Sequence, residues 1–166
     1  AKLRKDLERL IYQKEKKEIN QPMLKEVLTK ERIQVIEHVG SWKEAIQLAS
    51  KPLLSEQAIE QEYVDAMIDS VEAHGPYIVL ADGFALPHAS SASGVHELSM
   101  ALLVVKEPVD LLGKPVRLFM VLATTDNTSH MKALASLTNI LYEPNNMNVF
   151  YSGDIDSIMQ LVESSE

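Results

Sequence analysis

The chain of 166 residues has no cysteine. That excludes disulfides, thiolate catalysis and cysteine-held zinc, and it suits a reducing compartment. No apolar run approaches the roughly 18 residues a membrane span requires, and there is no signal-peptide pattern. The sequence therefore reads as cytoplasmic, without membrane insertion. Positive charge is scarce too: 16 Lys and Arg face 24 Asp and Glu, giving a net charge of −8 and a pI near 5.1. Nucleic-acid binding needs clustered cations to displace counterions, so none is expected of this chain. No His, Asp and Glu cluster has metal-ligand spacing, and no G-x-S-x-G elbow is present, so a metal centre and a Ser-His-Asp hydrolase are both poor readings.

What remains is an ordinary globular composition, 46% hydrophobic and 24% charged, long enough for one substantial core. Residues 1–22 read as a helical extension and 23–166 as the main domain. Lys2 to Lys17 carries Leu3, Leu7, Leu10 and Ile11 on one helical face amid dense charge. It reads either as a linker helix in a longer protein or as a helix docked on its own domain. Asn20 to Pro22 interrupts that pattern. A short helical turn over Met23 to Leu28 and a first strand over Ile33 to Ile36 follow.

Ser41-Trp42-Lys43-Glu44 has the spacing of a capping box and predicts a helix through Leu48. Ser55 is a second cap candidate, opening a helix through Val71 with Tyr63, Met67 and Val71 toward the core. Gly75-Pro76 stops it. Leu98 to Val105, almost wholly apolar, predicts a strand buried on both faces, separated from a second strand over Val116 to Ala123 by Pro108 and the Gly113-Lys114-Pro115 turn. A helix from about His130 to Leu141 ends at Pro144-Asn145-Asn146, and a final helix runs from about Asp154 to Val162. The expected fold is α/β: a single layered domain with a mixed sheet of about five strands flanked by helices, plus the N-terminal extension.

The stretch that could carry chemistry runs from Tyr77 to Gly94, YIVLADGFALPHASSASG. Two β-prone runs flank Asp82-Gly83, a strong hairpin signal. Pro87 cannot donate to a ladder, so pairing should end there and leave His88 at a sheet rim. Small residues follow, with hydroxyls and backbone N–H groups that suit an anion. An imidazole so placed can attack a phosphoryl group with one ring nitrogen while the other, hydrogen-bonded, fixes the tautomer. His130 starts a helix, where the dipole favours a neutral imidazole facing an anion. His38 and His74 read as solvated residues at element ends, and His96 as a strand-edge residue that could turn toward His88.

Gly-Phe-Ala-Leu-Pro-His-Ala, at Gly83 to Ala89, resembles the phosphorylation motif of mannitol/fructose-type enzyme IIA domains of the bacterial sugar phosphotransferase system. Glu72 to Tyr77, EAHGPY, resembles the lead-in of the ascorbate-type and regulator-borne branches, and Asp126 to Asn139 resembles the segment with the family's second active-site histidine. The likeness covers roughly Leu24 to the C-terminus. It implies a phosphocarrier: His88 accepts a phosphoryl group from the histidine-containing phosphocarrier protein and passes it to a cysteine of a cognate enzyme IIB. His130 stabilises the group, Ala89, Ser90, Ser91 and Ser129 line the phosphate, and no cofactor takes part. The same likeness leaves open a regulatory module of an antiterminator or activator, switched by phosphorylation of His88 and acting on upstream domains of the same chain. A homodimer is also left open, and a non-phosphorylated ligand-binding module would require His88 to be buried. Relatives commonly place an Arg-Pro pair after the motif and an arginine near the end of the preceding helix. Here those positions are Ser90-Ser91 and Ser70, which lowers positive charge near the phosphate.

Overall fold

The computed structural model describes residues 2–90 and 94–165, with the backbone alone for residues 14–19. The doubly apolar stretch seen in the sequence becomes the middle of a five-stranded mixed sheet. In chain order the strands are β1 (Ile33–Ile36), β2 (Val79–Ala81), β3 (Gly83–Ala85), β4 (Ser99–Leu111) and β5 (Lys114–Ala123). Their order in space is β1-β4-β5-β3-β2. Strands β4 and β5 pair antiparallel through a tight turn, while β1 joins β4 and β3 joins β5 in parallel. The Asp82-Gly83 hairpin forms as expected, with β2 antiparallel to β3.

Side chains alternate across the central strands, so two cores form, one on each face. Ala101, Leu103, Val105, Phe119 and Val121 pack under α3 (Trp42–Ser55) and α4 (Gln61–His74). Met100, Leu102, Val104, Leu118 and Met120 face the short α2 (Leu24–Val27), α5 (Met131–Tyr142), α6 (Pro144–Tyr151) and α7 (Ile155–Ser164). This is the expected α/β architecture. The extension forms α1 (Lys2–Ile19), and Leu3, Leu7, Leu10 and Ile11 stand 52–71% exposed, so its apolar face is not docked. Gln21, after the helix, does reach the domain: its Oε1 accepts from the Lys132 N–H at 3.0 Å.

Prolines account for most departures from the expected boundaries. Helix α3 does not stop at Leu48 but runs through Pro52 to Ser55, so Ser55 ends a helix rather than capping the next one. Pro52 leaves the Leu48 carbonyl without its helical donor, and Gln34 Nε2 fills that role at 2.7 Å. Glu60 is instead the residue ahead of α4. Strand β4 continues past Pro108, because the ladder is irregular between Val104 and Val109, where a missing N–H costs no ladder bond. Pro144 does not merely break α5. It sits at the first position of α6, where the absent N–H is harmless, with Glu143 capping Asn145. At Ser41 half of the capping box forms: Ser41 Oγ accepts from Glu44 N–H, while the Glu44 carboxylate turns to Gly40 N–H.

Candidate active site

Parallel pairing puts the carboxyl ends of β3 and β5 side by side, and the chain leaves both strands on that edge of the sheet. This is where open α/β sheets commonly place ligands. The segment after β3 carries His88, and the segment after β5 carries His130. Pairing ends at Pro87, as expected, with the Pro87 carbonyl accepting from Leu122 N–H at 3.0 Å. The half-buried His88 follows directly.

His88 Nδ1 lies 2.6 Å from the Leu86 carbonyl. A carbonyl can only accept, so Nδ1 carries the proton and Nε2 keeps its lone pair. The neutral imidazole is thereby held to one tautomer, with Nε2 as its unprotonated nitrogen, and His88 is not buried as a pure ligand-binding reading would require. His130 is the N-cap residue of α5 but makes no side-chain cap. Its Nδ1 is buried without a hydrogen-bond partner among the described residues. Burial holds its pKa below the usual 6.5, Asp126 partly offsets this, and His88 lowers it further. The two predicted histidines thus lie on the segments that leave adjacent strand ends at one edge of the sheet.

The other expected phosphate-facing groups fare differently. The Ala89 N–H is spent on Tyr63 Oη at 3.1 Å. Ser129 gives both its N–H and its hydroxyl to Asp126, which also accepts from Thr128 N–H. In this structure neither group is free for an anion: Ala89 N–H is held by the distant Tyr63 and the Ser129 N–H and hydroxyl by the neighbouring Asp126. Ser90 is exposed beside a shallow hollow of about 400 Å³ with Ala66, Asp69, Ser70, His74 and Ala89. Ser91 lies outside the described residues. Beyond it, Gly94 takes φ +78°, and its carbonyl accepts from Glu60 N–H, bringing the loop back onto α4 so closely that a Cβ would lie 3.1 Å from Tyr63 N. His96 does not turn toward His88; it pairs with Glu60 at 3.2 Å, and His38 pairs likewise with Glu107.

Residues that pattern reading passed over complete the site. Tyr63, read as a core residue, is fully buried, and its hydroxyl donates to the Leu122 carbonyl at 2.7 Å. Burial, partly offset by the Ala89 N–H bond and reinforced by Tyr77, pushes its pKa up to about 12. Tyr77, read as a strand residue, sets its ring at 83° to the His88 imidazole with centroids 5.5 Å apart, and it also meets the His74 ring edge-on at 6.3 Å. Asp126 could have been found, since an aspartate two and three residues before N–H groups at a helix start is a known local turn. No sequence signal marks the tyrosines, whose partners are remote in the chain. Among the described residues no three His, Asp or Glu side chains could hold a metal, and no helix is long and apolar enough to cross a membrane.

Residues 26–165 match the family described as phosphoenolpyruvate-dependent sugar phosphotransferase system, EIIA 2. The chain is 34% identical over 113 residues to the mannitol-specific cryptic phosphotransferase enzyme IIA component of Escherichia coli K12, covering 67% of this chain and 77% of that one. The solution structure of the enzyme of that description from E. coli superposes with a TM-score of 0.78 at 27% identity, over 86% of this chain and 99% of that one. The E. coli mannitol enzyme IIA, solved in complex with phosphorylated mannitol enzyme IIB, shares the fold with a TM-score of 0.70 at 24% identity, over 81% and 95%.

Proposed function

This chain belongs to the EIIA 2 family of the phosphoenolpyruvate-dependent sugar phosphotransferase system, and on that premise we propose that Nε2 of His88 is its phosphoryl acceptor. The chain is a phosphotransferase component, and the phosphoryl group is its cargo. The observation that carries the assignment is the 2.6 Å bond from Nδ1 to the Leu86 carbonyl, which leaves Nε2 as the nucleophilic nitrogen. As Nε2 attacks phosphorus, the bond from phosphorus to the donor nitrogen breaks and the electron pair stays with the donor. Positive charge spreads over the acceptor ring toward Nδ1–H, where the Leu86 carbonyl meets it. The donor we infer is the histidine-containing phosphocarrier protein, in the cytoplasm. The recipient is a cysteine of an enzyme IIB, the kind of partner with which the mannitol enzyme IIA of like fold was solved. Transfer to a thiolate runs the same displacement in reverse on the ring.

His130 stabilises the group in transit. Its depressed pKa keeps it neutral, and its buried ring has hydrogen-bonding capacity that the protein leaves unspent. With Ala89 and Ser129 occupied, the Ser90 hydroxyl is, among the described residues called for this role, the group left to assist. No specific observation favours the regulatory reading.

The test is to supply phosphoenolpyruvate, enzyme I and the phosphocarrier, then map acid-labile phosphate by mass spectrometry. His88→Ala abolishes the label. His130→Ala keeps it on His88 but slows transfer roughly 10- to 1000-fold, the effect of losing one positioned donor. Label persisting in His88→Ala overturns the assignment, and unchanged kinetics in His130→Ala return that residue to a structural role.

A further inference from the structure

The peptide plane that joins His88 to Ala89 is gripped at both polar ends. On one side Tyr77 Oη donates to the His88 carbonyl at 3.3 Å; on the other, Tyr63 Oη accepts from the Ala89 N–H at 3.1 Å. Each phenol has a single proton, so these assignments fix the rest of the network. Tyr63 spends its proton on the Leu122 carbonyl, tying the peptide to the end of β5. Tyr77 spends its own on His88, so Ser70 Oγ, 2.8 Å away, must be the donor to Tyr77. Tyr63 and Ser70 sit at i and i+7 on α4, on one helical face. One rigid helix thus anchors both hydroxyls.

We propose that Tyr63 and Tyr77 are positioning residues for phosphoryl transfer, their hydroxyls clamping the His88–Ala89 peptide so that the imidazole keeps one direction of attack. The proposal rests on His88 being the acceptor. Its logic is geometric. The ring is tethered at Nδ1 to Leu86, yet that tether alone leaves the backbone of His88 free to rock about the residues on either side. Holding both ends of the next peptide removes that motion, and the ring of Tyr77 against the imidazole blocks rotation toward α4. Fixing the reacting atom in this way lowers the cost of reaching an in-line geometry. The clamp holds the nucleophile and does not touch the phosphate, so it complements His130 rather than duplicating it. Ser70 belongs to the same clamp, because its hydroxyl orients that of Tyr77.

The experiment uses the whole chain with phosphoenolpyruvate, enzyme I and the phosphocarrier, comparing wild type with Tyr77→Phe, Tyr63→Phe and the double variant. Tyr77 is exposed, so Tyr77→Phe should melt with wild type while its kcat falls roughly 5- to 10-fold, the scale of one hydrogen bond, with KM within about twofold. The double variant should lose less than the product of the two single losses, because one released end already frees the peptide. Nitrogen-15 NMR of the imidazoles should show His88 almost wholly Nδ1-protonated in wild type and a growing Nε2-protonated fraction in the variants. Should Tyr63→Phe fail to fold, Tyr77→Phe and Ser70→Ala decide the matter alone. Label on His88 with wild-type kcat and tautomer in Tyr77→Phe overturns the clamp and leaves the acceptor standing. Label that survives His88→Ala removes both.

Discussion

Substituting Gln34 tests how the sheet supports a helix that its own sequence should break. Pro52 deprives the Leu48 carbonyl of its helical partner, and the Gln34 side chain, reaching from β1, supplies the missing donor at 2.7 Å. Gln34→Met keeps the length and most of the volume but removes the N–H. An unpaired carbonyl costs about 1–3 kcal/mol, and because Leu48 is only partly buried the lower end applies, about 1–1.5 kcal/mol. For a domain of this size that is roughly 2–5 °C in Tm. In a Pro52→Ala background the new N–H at position 52 can take the Leu48 carbonyl, so Gln34→Met should then cost less than about 0.5 kcal/mol. Urea unfolding followed by circular dichroism, with m unchanged across the four proteins, measures the cycle directly. An equal loss in both backgrounds would show that Gln34 matters through packing, and the account of Pro52 would be wrong.

Two further outcomes follow from the site. His130 has a folded pKa below its unfolded value of about 6.5, so below that pH the unfolded chain binds more protons than the folded one. Its neutral state therefore costs no stability above about pH 6.5, and stability falls as pH drops from there toward the folded pKa; His130→Gln should remove this part of the slope, and parallel curves for the two proteins between pH 7.5 and 5 would refute it. Gln21→Ala removes the acceptor of the Lys132 N–H at the start of α5 and should cost about 0.5–1 kcal/mol, as the loss of a cap does, with faster hydrogen exchange at the Lys132 amide. Unchanged protection there would show that the contact carries no weight.

The elements that pattern reading located correctly are those whose cause is local. Alternation and continuous apolarity marked β4 and β5, Asp82-Gly83 marked the hairpin, and Pro87-His88 marked the rim of the sheet. The errors cluster at prolines, since a proline has two opposite meanings that only its surroundings decide. Pro144 starts a helix because Glu143 caps it, Pro52 is carried through because Gln34 is near, and Pro108 falls where the ladder is already irregular. The candidate histidines stood out in the sequence, and the tyrosines that bond around His88 did not. Tyr63 has the helical spacing of any core residue, and its hydroxyl meets Ala89 and Leu122 only after α4, β3 and β5 have assembled. The occupancy of Ser129 was legible for the converse reason: Asp126 is close enough in sequence to take its N–H and hydroxyl proton.

The parallel pairing of β3 with β5 has a further consequence, for the order in which the chain can acquire its chemistry. Strands β4 and β5 share a tight turn and can zip locally, but Ala85 reaches Phe119 only by closing a loop that contains all of β4. Such closures spend chain entropy before any contact repays it, and they set the pace of folding in sheets of this kind. A nascent chain that has emerged as far as β4 already displays His88 and its motif, yet it has no Leu122 to hold Pro87 and Tyr63, and no His130. The surroundings of His88 are thus completed by a long-range contact rather than by the motif alone.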